Sequence, residues 1–351
     1  MLWIAVTLVL IFSGAGIWAV LHQLTATAKA KTMPKYDWLA SNSAPRGCPM
    51  DVGEGSAFLL HDSSSLYVPP ATIHAGWGNS VSIHAVGEEF KPLPDQLMLT
   101  SYSYLEDKLY HGLFDLPYDQ IASHFAKGFA AYDTGNQESR RYEVITAGVA
   151  PGGVITVWLE GRGKCKEVFF GHAQELDRDF HQALRLPLHV NREQYRESEL
   201  RESAATDPRV LESVKHIPFG LWDTYRTPYA WHLLLEGLPT PKYIASIHYY
   251  NGEYESWPWP LSTDAQAEQR PVPSSVMFFV KFPAEEFATQ YLVEFNEQEM
   301  LRTFQRLGSD GRSIDLRLRQ GTRLEVSLRN DREEIALVDF DYELYKSKRK
   351  W

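Results

Sequence analysis

Cysteine is almost absent from this chain of 351 residues, and its two cysteines, Cys48 and Cys165, stand far apart in the sequence. Neither belongs to a CxxC pair, which argues against a zinc site and against thioredoxin-type redox chemistry. In an oxidising compartment they could form one disulfide, whose long loop would contribute roughly 4–5 kcal/mol in the loop-entropy model. The alternative is two unpaired thiols, and the sequence leaves both open.

Motifs of familiar catalytic chemistry are missing as well. The chain has no GxSxG serine, no HExxH pair, no Walker loop and no intact GxGxxG. His61, His74 and His84 could meet on adjacent strands and bind a metal, but no helical pair of histidines four residues apart supports such a site. The sequence therefore predicts no catalytic residue, no metal and no cofactor, and it favours a binding protein over an enzyme.

Charge is missing from the N-terminal stretch. Residues 1–21 contain no Lys, Arg, Asp or Glu, and a helix of that length spans about 30 Å, which matches a bilayer core. We therefore predict one transmembrane helix over residues 1–24. Ala26-Thr27-Ala28 fits a cleavage site, but the apolar run is longer than a usual signal core and no basic side chain precedes it. A retained anchor is favoured.

The orientation of this anchor is ambiguous from its flanking charges. Lys29, Lys31 and Lys35 follow the apolar run, and the positive-inside bias would keep the rest of the chain in the cytoplasm. Long domains, however, often translocate regardless of a few flanking charges. Both orientations stay open on these residues alone.

An excess of positive charge is also lacking. The 45 acidic side chains outnumber the 35 basic ones and give a net charge of −10, all of it beyond the apolar N-terminus. This balance argues against nucleic acid as a partner. It is compatible with steering toward a basic protein, and equally with plain solubility.

An internal echo is the most informative positive feature. Residues 93–125 align without a gap with residues 272–304. Pairs of similar residues recur at one constant offset, among them Leu93 with Val272, Leu97 with Val276, Glu106 with Glu285, Leu113 with Leu292 and Phe125 with Phe304. A repeated unit implies two similar lobes packed side by side, an arrangement that more often presents a binding surface than a single catalytic cleft.

The pattern along the chain predicts an α+β protein. Short alternating strands are bounded by turn signals such as Asn251-Gly252, and Asn296 with Glu299 opens a helix. Residues 25–55 hold Pro, Ser, Gly, Asn and Lys without periodicity and favour a linker. We predict two similar lobes of antiparallel sheet with packed helices. The expected organisation is a transmembrane anchor over residues 1–24, a linker over 25–55, a first lobe over 56–236 and a second lobe over 237–351.

Two aromatic clusters suggest contacts. Trp222, Tyr225, Tyr229 and Trp231, with Arg226, form a dense group that is expected to build a core between the lobes. Proline excludes residues 257–260 from a central strand, and they are expected to project as an extended loop. Because tryptophan is a favoured binding anchor, the predicted partner contact consists of this loop and the acids before it: Trp257, Trp259, Glu253 and Glu255.

Several blocks of the sequence carry a resemblance to one bacterial family. The resemblance extends roughly over residues 65–345. It is carried by Leu93-Pro94-Asp95, Ser101-Tyr102-Ser103-Tyr104-Leu105-Glu106-Asp107-Lys108, Leu116-Pro117-Tyr118, Gly148-Val149-Ala150-Pro151-Gly152-Gly153-Val154, Val157-Trp158-Leu159 and Ile217-Pro218-Phe219-Gly220-Leu221-Trp222 with Tyr225-Arg226. The Ala-Pro-Gly-Gly block is the most specific of these. Through these blocks the chain resembles the domain-of-unknown-function 2931 family.

The resemblance implies an exported binding protein. Members of this family often look like exported proteins or lipoproteins, and they are often encoded beside type VI secretion effectors, including phospholipase-like toxins. It therefore implies an immunity protein in the inner membrane, with its body in the periplasm and a cognate secreted effector as partner. An adaptor that loads the effector onto the secretion system is the alternative, and an unrecognised hydrolase is a third. The resemblance carries no catalytic residues over to this chain.

Overall fold

The computed structural model describes residues 34–133, 136–239, 242–257 and 268–346. Strands dominate these ranges and six helices accompany them, which confirms the predicted sheet-rich α+β class. No helix within the described ranges is both long and apolar enough to cross a membrane. The predicted anchor over residues 1–24 lies outside those ranges.

Fifteen strands belong to the first half of the chain. They are β1 (Tyr36–Asp37), β2 (Leu39–Ser43), β3 (Met50–Val52), β4 (Ala57–Leu60), β5 (Ser65–Tyr67), β6 (Thr72–Ile73), β7 (Phe90–Lys91), β8 (Pro94–Ser103), β9 (Lys108–Asp115), β10 (Phe129–Asp133), β11 (Asn136–Arg140), β12 (Val144–Ala150), β13 (Val154–Gly161), β14 (Lys164–His172) and β15 (Gln174–Glu175).

Ten strands follow in the second half. They are β16 (Tyr229–Glu236), β17 (Lys242–Tyr249), β18 (Tyr254–Glu255), β19 (Glu268–Arg270), β20 (Pro273–Val280), β21 (Thr289–Phe295), β22 (Ile314–Gln320), β23 (Leu324–Arg329), β24 (Glu334–Ala336) and β25 (Phe340–Lys346). The helices are α1 (Tyr118–Lys127), α2 (Phe180–Leu184), α3 (Arg192–Thr206), α4 (Arg209–Lys215), α5 (Leu221–Thr224) and α6 (Glu297–Gly308), and a short 3₁₀ turn covers Pro151–Gly153.

One sheet runs through both halves of the molecule. Its nine strands lie in the order β2-β12-β13-β14-β18-β17-β20-β21-β25. A second sheet, in the order β15-β9-β8-β3-β6 with β4 and β5 added, belongs to the first half, and a third, β19-β16-β22-β23-β24, belongs to the second. Two buried cores accompany this division, one built from side chains between Trp38 and Ala173 and the other between Trp231 and Leu337.

The linker predicted over residues 25–55 is wrong for its C-terminal part. Leu39–Ser43 lies inside the nine-stranded sheet and Met50–Val52 inside the second sheet. The polar residues that suggested a linker are buried and hydrogen-bonded: Asn42 Nδ2 donates to Pro69 O at 2.7 Å, and Ser43 Oγ to Gly76 O at 3.0 Å. Buried polar side chains with partners are compatible with a core strand. A polar composition alone therefore does not distinguish a linker from these strands.

The two segments that echo each other both fold as strand, strand, helix. β8, β9 and α1 make up the first, and β20, β21 and α6 the second. In α6 the Asn296 side chain accepts from Glu299 N at 3.0 Å, as the capping pattern predicts. Met300, Phe304 and Leu307 follow at helical spacing and are buried.

The correspondence extends beyond these segments. In the first half β2 runs parallel to β12, which continues into the antiparallel ladder β12-β13-β14, and β15 then returns to pair with β9. In the second half β16 runs parallel to β22, which continues into β22-β23-β24, and β25 returns to pair with β21. Both halves therefore follow the same course.

A buried tryptophan marks the same point in each half. Trp38 Nε1 donates to Pro92 O at 3.1 Å, and Trp231 Nε1 donates to Pro271 O at 3.1 Å. Pro92 and Pro271 stand at the offset that relates residues 93 and 272. Each indole ties its part of the chain, directly before β2 for Trp38 and within β16 for Trp231, to the residue just before the following hairpin.

Candidate functional site

The family-like Ala-Pro-Gly-Gly block forms a tight turn between β12 and β13. Gly152 and Gly153 have φ of 76° and 73°, a region that disfavours side chains. A Cβ on Gly153 would stand 2.5 Å from Ala173 O. The Glu106 carboxylate fixes the turn, because it accepts from Gly152 N at 2.9 Å and from the Tyr110 hydroxyl at 2.7 Å.

The second family-like block packs against this turn. The Phe219 ring lies beside Gly152, where an added Cβ would be 3.3 Å from Phe219 Cδ1. Phe219 is nevertheless 60% exposed, whereas Trp222 three residues later is buried. The segment thus anchors itself through Trp222 and presents Phe219 to solvent.

The predicted aromatic group at the lobe junction is only partly assembled. Trp222 and Tyr225 are buried in a small cluster between the two cores, together with Cys48 and Leu105. Trp231, by contrast, belongs to the core of the second half. The predicted cation–π contact of Arg226 exists, but its ring partner is Phe170, 4.3 Å away, on the strand β14.

A groove of about 540 Å³ opens beside this junction. The strand end of β9, the start of α1, the middle of β14 and Arg226 line it, through Asp115, Leu116, Pro117, Gln120, Glu167, Val168, Phe169, Phe170 and Arg226. Several of these residues belong to the family-like blocks. The family-like blocks therefore contribute to the groove and, through Phe219, to the exposed surface beside the Gly152 turn.

Glu167 is the unusual group in this groove. Its side chain is 9% exposed, and Oε1 accepts from Arg226 Nε at 2.6 Å. Its Oε2 is buried and has no hydrogen-bond partner. Burial raises the pKa of this carboxyl to about 7, although the Arg226 guanidinium acts in the opposite direction. An acceptor of this kind is costly to leave unpaired, so this carboxyl is the group in the groove that a hydrogen-bond donor or a cation would stabilise most.

Glu253, predicted as a partner contact, instead supports this groove from inside. Its side chain is 9% exposed, and Oε1 accepts from Lys166 Nζ at 2.7 Å and from Glu167 N at 3.0 Å. The carboxylate thus holds the backbone of β14 at the point where Glu167 enters the groove. Its charge is satisfied within the protein and does not face a partner.

The predicted projecting loop is wrong at Trp257. This side chain is buried, its ring lies 5.6 Å from that of Trp231, and the Arg270 guanidinium stacks on it at 4.4 Å. Glu255 is also engaged, because it accepts from the Tyr249 hydroxyl at 2.7 Å. The strand before Trp257, β18, joins the nine-stranded sheet between β14 and β17, and Trp257 then enters the core of the second half. Trp259 lies outside the described residues.

The possible disulfide is absent from the structure, where Cys48 and Cys165 are both free and buried. Cys48 lies against α4, with Sγ 3.8 Å from Ser213 Oγ, whereas Cys165 pairs with Tyr254 of β18. The two thiols thus belong to different packing environments. Burial raises the pKa of the Cys48 thiol to about 11, which makes it a poor nucleophile.

Two of the three histidines considered as metal ligands have separate partners. His61 Nδ1 lies 2.7 Å from Asp95 Oδ2, and His84 Nδ1 lies 2.7 Å from the Tyr67 hydroxyl. Within the described part of the chain, no group of three His, Cys, Asp or Glu side chains is placed to hold a metal ion.

Sequence reasoning missed Glu167 and the groove around it. Glu167 stands in an alternating strand, where a charged residue is usually assigned to the solvent face. The only usable signal was Arg226, which appears in the last family-like block. Neither residue indicates a groove until β9 and β14 are brought together by the two sheets.

A model for the family described as "Protein of unknown function (DUF2931)" matches residues 25–218. The match contains the whole Ala-Pro-Gly-Gly turn and all of the groove lining except Arg226, and it ends before the second half. No curated protein and no solved structure matches this chain. With more than half of its length matched, the chain belongs to the DUF2931 family.

Proposed function

We propose that this protein is a membrane-anchored periplasmic binding protein that neutralises an antibacterial effector of a type VI secretion system. It would act as an immunity protein that occludes a lipase-like toxin stoichiometrically and does no chemistry of its own. The observation that carries the proposal is the groove that the family blocks help to line. It holds a buried Glu167 with an oxygen that has no partner, and another residue of those blocks, Phe219, is exposed to solvent.

The charge balance supports a protein partner. A net charge of −10 raises the encounter rate with a basic surface through long-range attraction. An aromatic anchor surrounded by polar groups is the usual composition of a strong contact. In this proposal Phe219, and not the buried Trp257, is the aromatic anchor of the partner contact.

We also infer that the two lobes arose by internal duplication. The shared course of the strands and the matched indole bonds of Trp38 and Trp231 support this origin. A duplicated scaffold gives a rigid body with two related faces. One of these faces can specialise in a partner while the other remains structural.

The proposed topology has a direct test. Alkaline phosphatase fused after residue 33, behind the uncharged run, is expected to be active, because a long domain in this position is translocated in spite of Lys29 and Lys31. A fluorescent protein fused at the same position serves as the matched control and should stay dark. A fluorescent control with an inactive phosphatase would place the body in the cytoplasm instead.

The proposed activity is tested by growth. Cells that send the effector encoded beside this gene into the periplasm should survive when the full chain is co-expressed, and die without it. A chain lacking residues 1–24 is the matched control, because it stays in the cytoplasm and should not protect. Death in the presence of the full chain contradicts the proposal, and binding without protection indicates the adaptor instead.

A further inference from the structure

The two halves differ at one sheet edge. In the second half β25 covers β21 along seven residue pairs, from Thr289 with Lys346 to Phe295 with Phe340. In the first half the equivalent strand, β15, pairs with β9 only at Tyr110 and His111. The reason is the path of the chain, since β15 follows directly on β14, which belongs to the other sheet.

The uncovered part of β9 is residues 112–115. Leu116 N donates to Asp95 O at 2.7 Å on the side of β8, while Leu109 O accepts from Leu176 N at 2.8 Å on the opposite side. Because these directions alternate along a strand, the N–H and C=O groups of Leu113 and Asp115 point away from β8. No strand in the described ranges pairs with them there.

This edge lacks the side chains that usually protect an exposed sheet edge from pairing with another strand. Leu113 is 57% exposed, and no proline or lysine blocks residues 112–115. The groove begins where the edge ends, at Asp115 and Leu116. A strand added beside β9 would direct alternate side chains toward Phe169 and Glu167.

The second half indicates what such a strand does. Phe340 of β25 packs against the second core and stands opposite Phe295. Phe295 occupies the position in the repeat that Leu116 occupies in the first half. In the first half the corresponding space is the groove. Its charged lining consists of Asp115 and Glu167 against Arg226, and the Glu167 Oε2 still lacks a donor. The groove therefore suits a basic side chain.

We propose that residues 112–116 form a strand-addition site, which takes an extended segment of the partner protein antiparallel to β9 and seats one Lys or Arg of that segment beside Glu167. The proposal rests on the proposed function, since the effector is the partner. Main-chain hydrogen bonds would supply affinity, and the groove would supply specificity.

The first test separates the backbone from the side chain. Leu113→Pro removes the outward N–H, whereas Leu113→Ala keeps it and removes the same exposed side chain. Affinity of the full chain for the neighbouring effector should fall at least about tenfold in the proline variant relative to the alanine variant, which is about 1.4 kcal/mol. Glu167→Gln should weaken binding through the groove with the edge intact. Equal affinity of the two Leu113 variants overturns the proposal.

A second arm does not depend on the effector. The probes are two blocked pentapeptides, Thr-Val-Lys-Val-Thr and its glutamate-centred counterpart, offered to the full-length chain in hydrogen exchange. The lysine peptide should slow exchange at Leu113 and Asp115, and the glutamate peptide should not. Protection by both peptides or by neither overturns the proposal that a basic side chain binds beside Glu167, whether or not Leu113→Pro folds.

The remaining outcomes separate a failure of the proposed function from a failure of the proposed site. If the wild-type chain does not bind the effector but the lysine peptide protects the edge, the immunity function fails and the site stands. If the effector binds and the peptide arm and the Leu113 pair are both negative, the site fails and the function stands. A dimer of the free chain that Leu113→Pro dissociates would show a second copy as the occupant and would contradict the partner assignment.

Discussion

Trp158→Ala is expected to lower the free energy of unfolding by about 3–5 kcal/mol, the usual cost of truncating a large buried aromatic side chain. Trp158 is fully buried on β13, and its ring meets that of Trp77 edge-on at 4.8 Å. Its Nε1 donates to Asn251 O at 3.1 Å, in the hairpin of the second half. The side chain thus links the two halves as well as filling a core.

Chemical denaturation followed by circular dichroism measures this effect. Trp158→Phe is the matched variant, because it keeps an aromatic ring in the core but removes part of the buried area and the bond to Asn251. It should lie between the wild type and Trp158→Ala. A loss below about 1 kcal/mol in Trp158→Ala, within the range of ordinary substitutions, would show that the two halves do not depend on this contact.

Gly78→Ala is expected to destabilise the fold by about 2–6 kcal/mol, through backbone strain and overpacking of about 1–3 kcal/mol each. Gly78 has φ of 80°, and an added Cβ would stand 2.5 Å from Gly252 Cα. The two glycines let backbones from the two halves touch.

The matched control for Gly78 is Gly55, which has φ of 87° and open space around an added Cβ. Gly55→Ala carries the strain without the clash, so the difference in unfolding free energy isolates the backbone contact. If both variants lose the same stability in denaturant titrations, the close approach of the two halves is not a stabilising contact.

Local signals were sufficient for part of the fold. The Asn296 cap and the apolar spacing after it located α6, because helix ends are set by neighbouring residues. Asn251-Gly252 located a turn, where Gly252 has φ of 86°. The echo between residues 93–125 and 272–304 gave the order strand, strand, helix in both halves, since alternation and offset survive in the sequence.

Non-local pairing decided the rest. Polar residues such as Asn42 predict a linker from composition, but their hydrogen-bond partners, such as Pro69, are distant in sequence. Pro258 and Pro260 predict an exposed loop at Trp257, yet this side chain follows β18 into the core of the second half, where Arg270 stacks on it. The groove at Glu167 and the open edge at Leu113 depend on how two sheets meet, and no local pattern in either strand records that.

Activity titration tests the central claim, stoichiometric neutralisation, most directly. Increasing amounts of the purified full chain are added to the purified neighbouring effector, and hydrolysis of its substrate is followed. The account predicts a linear loss of activity that is complete at one molar equivalent, because one binding surface occludes one toxin. Full activity at a large molar excess, or progressive inactivation by a small fraction of an equivalent, would contradict it.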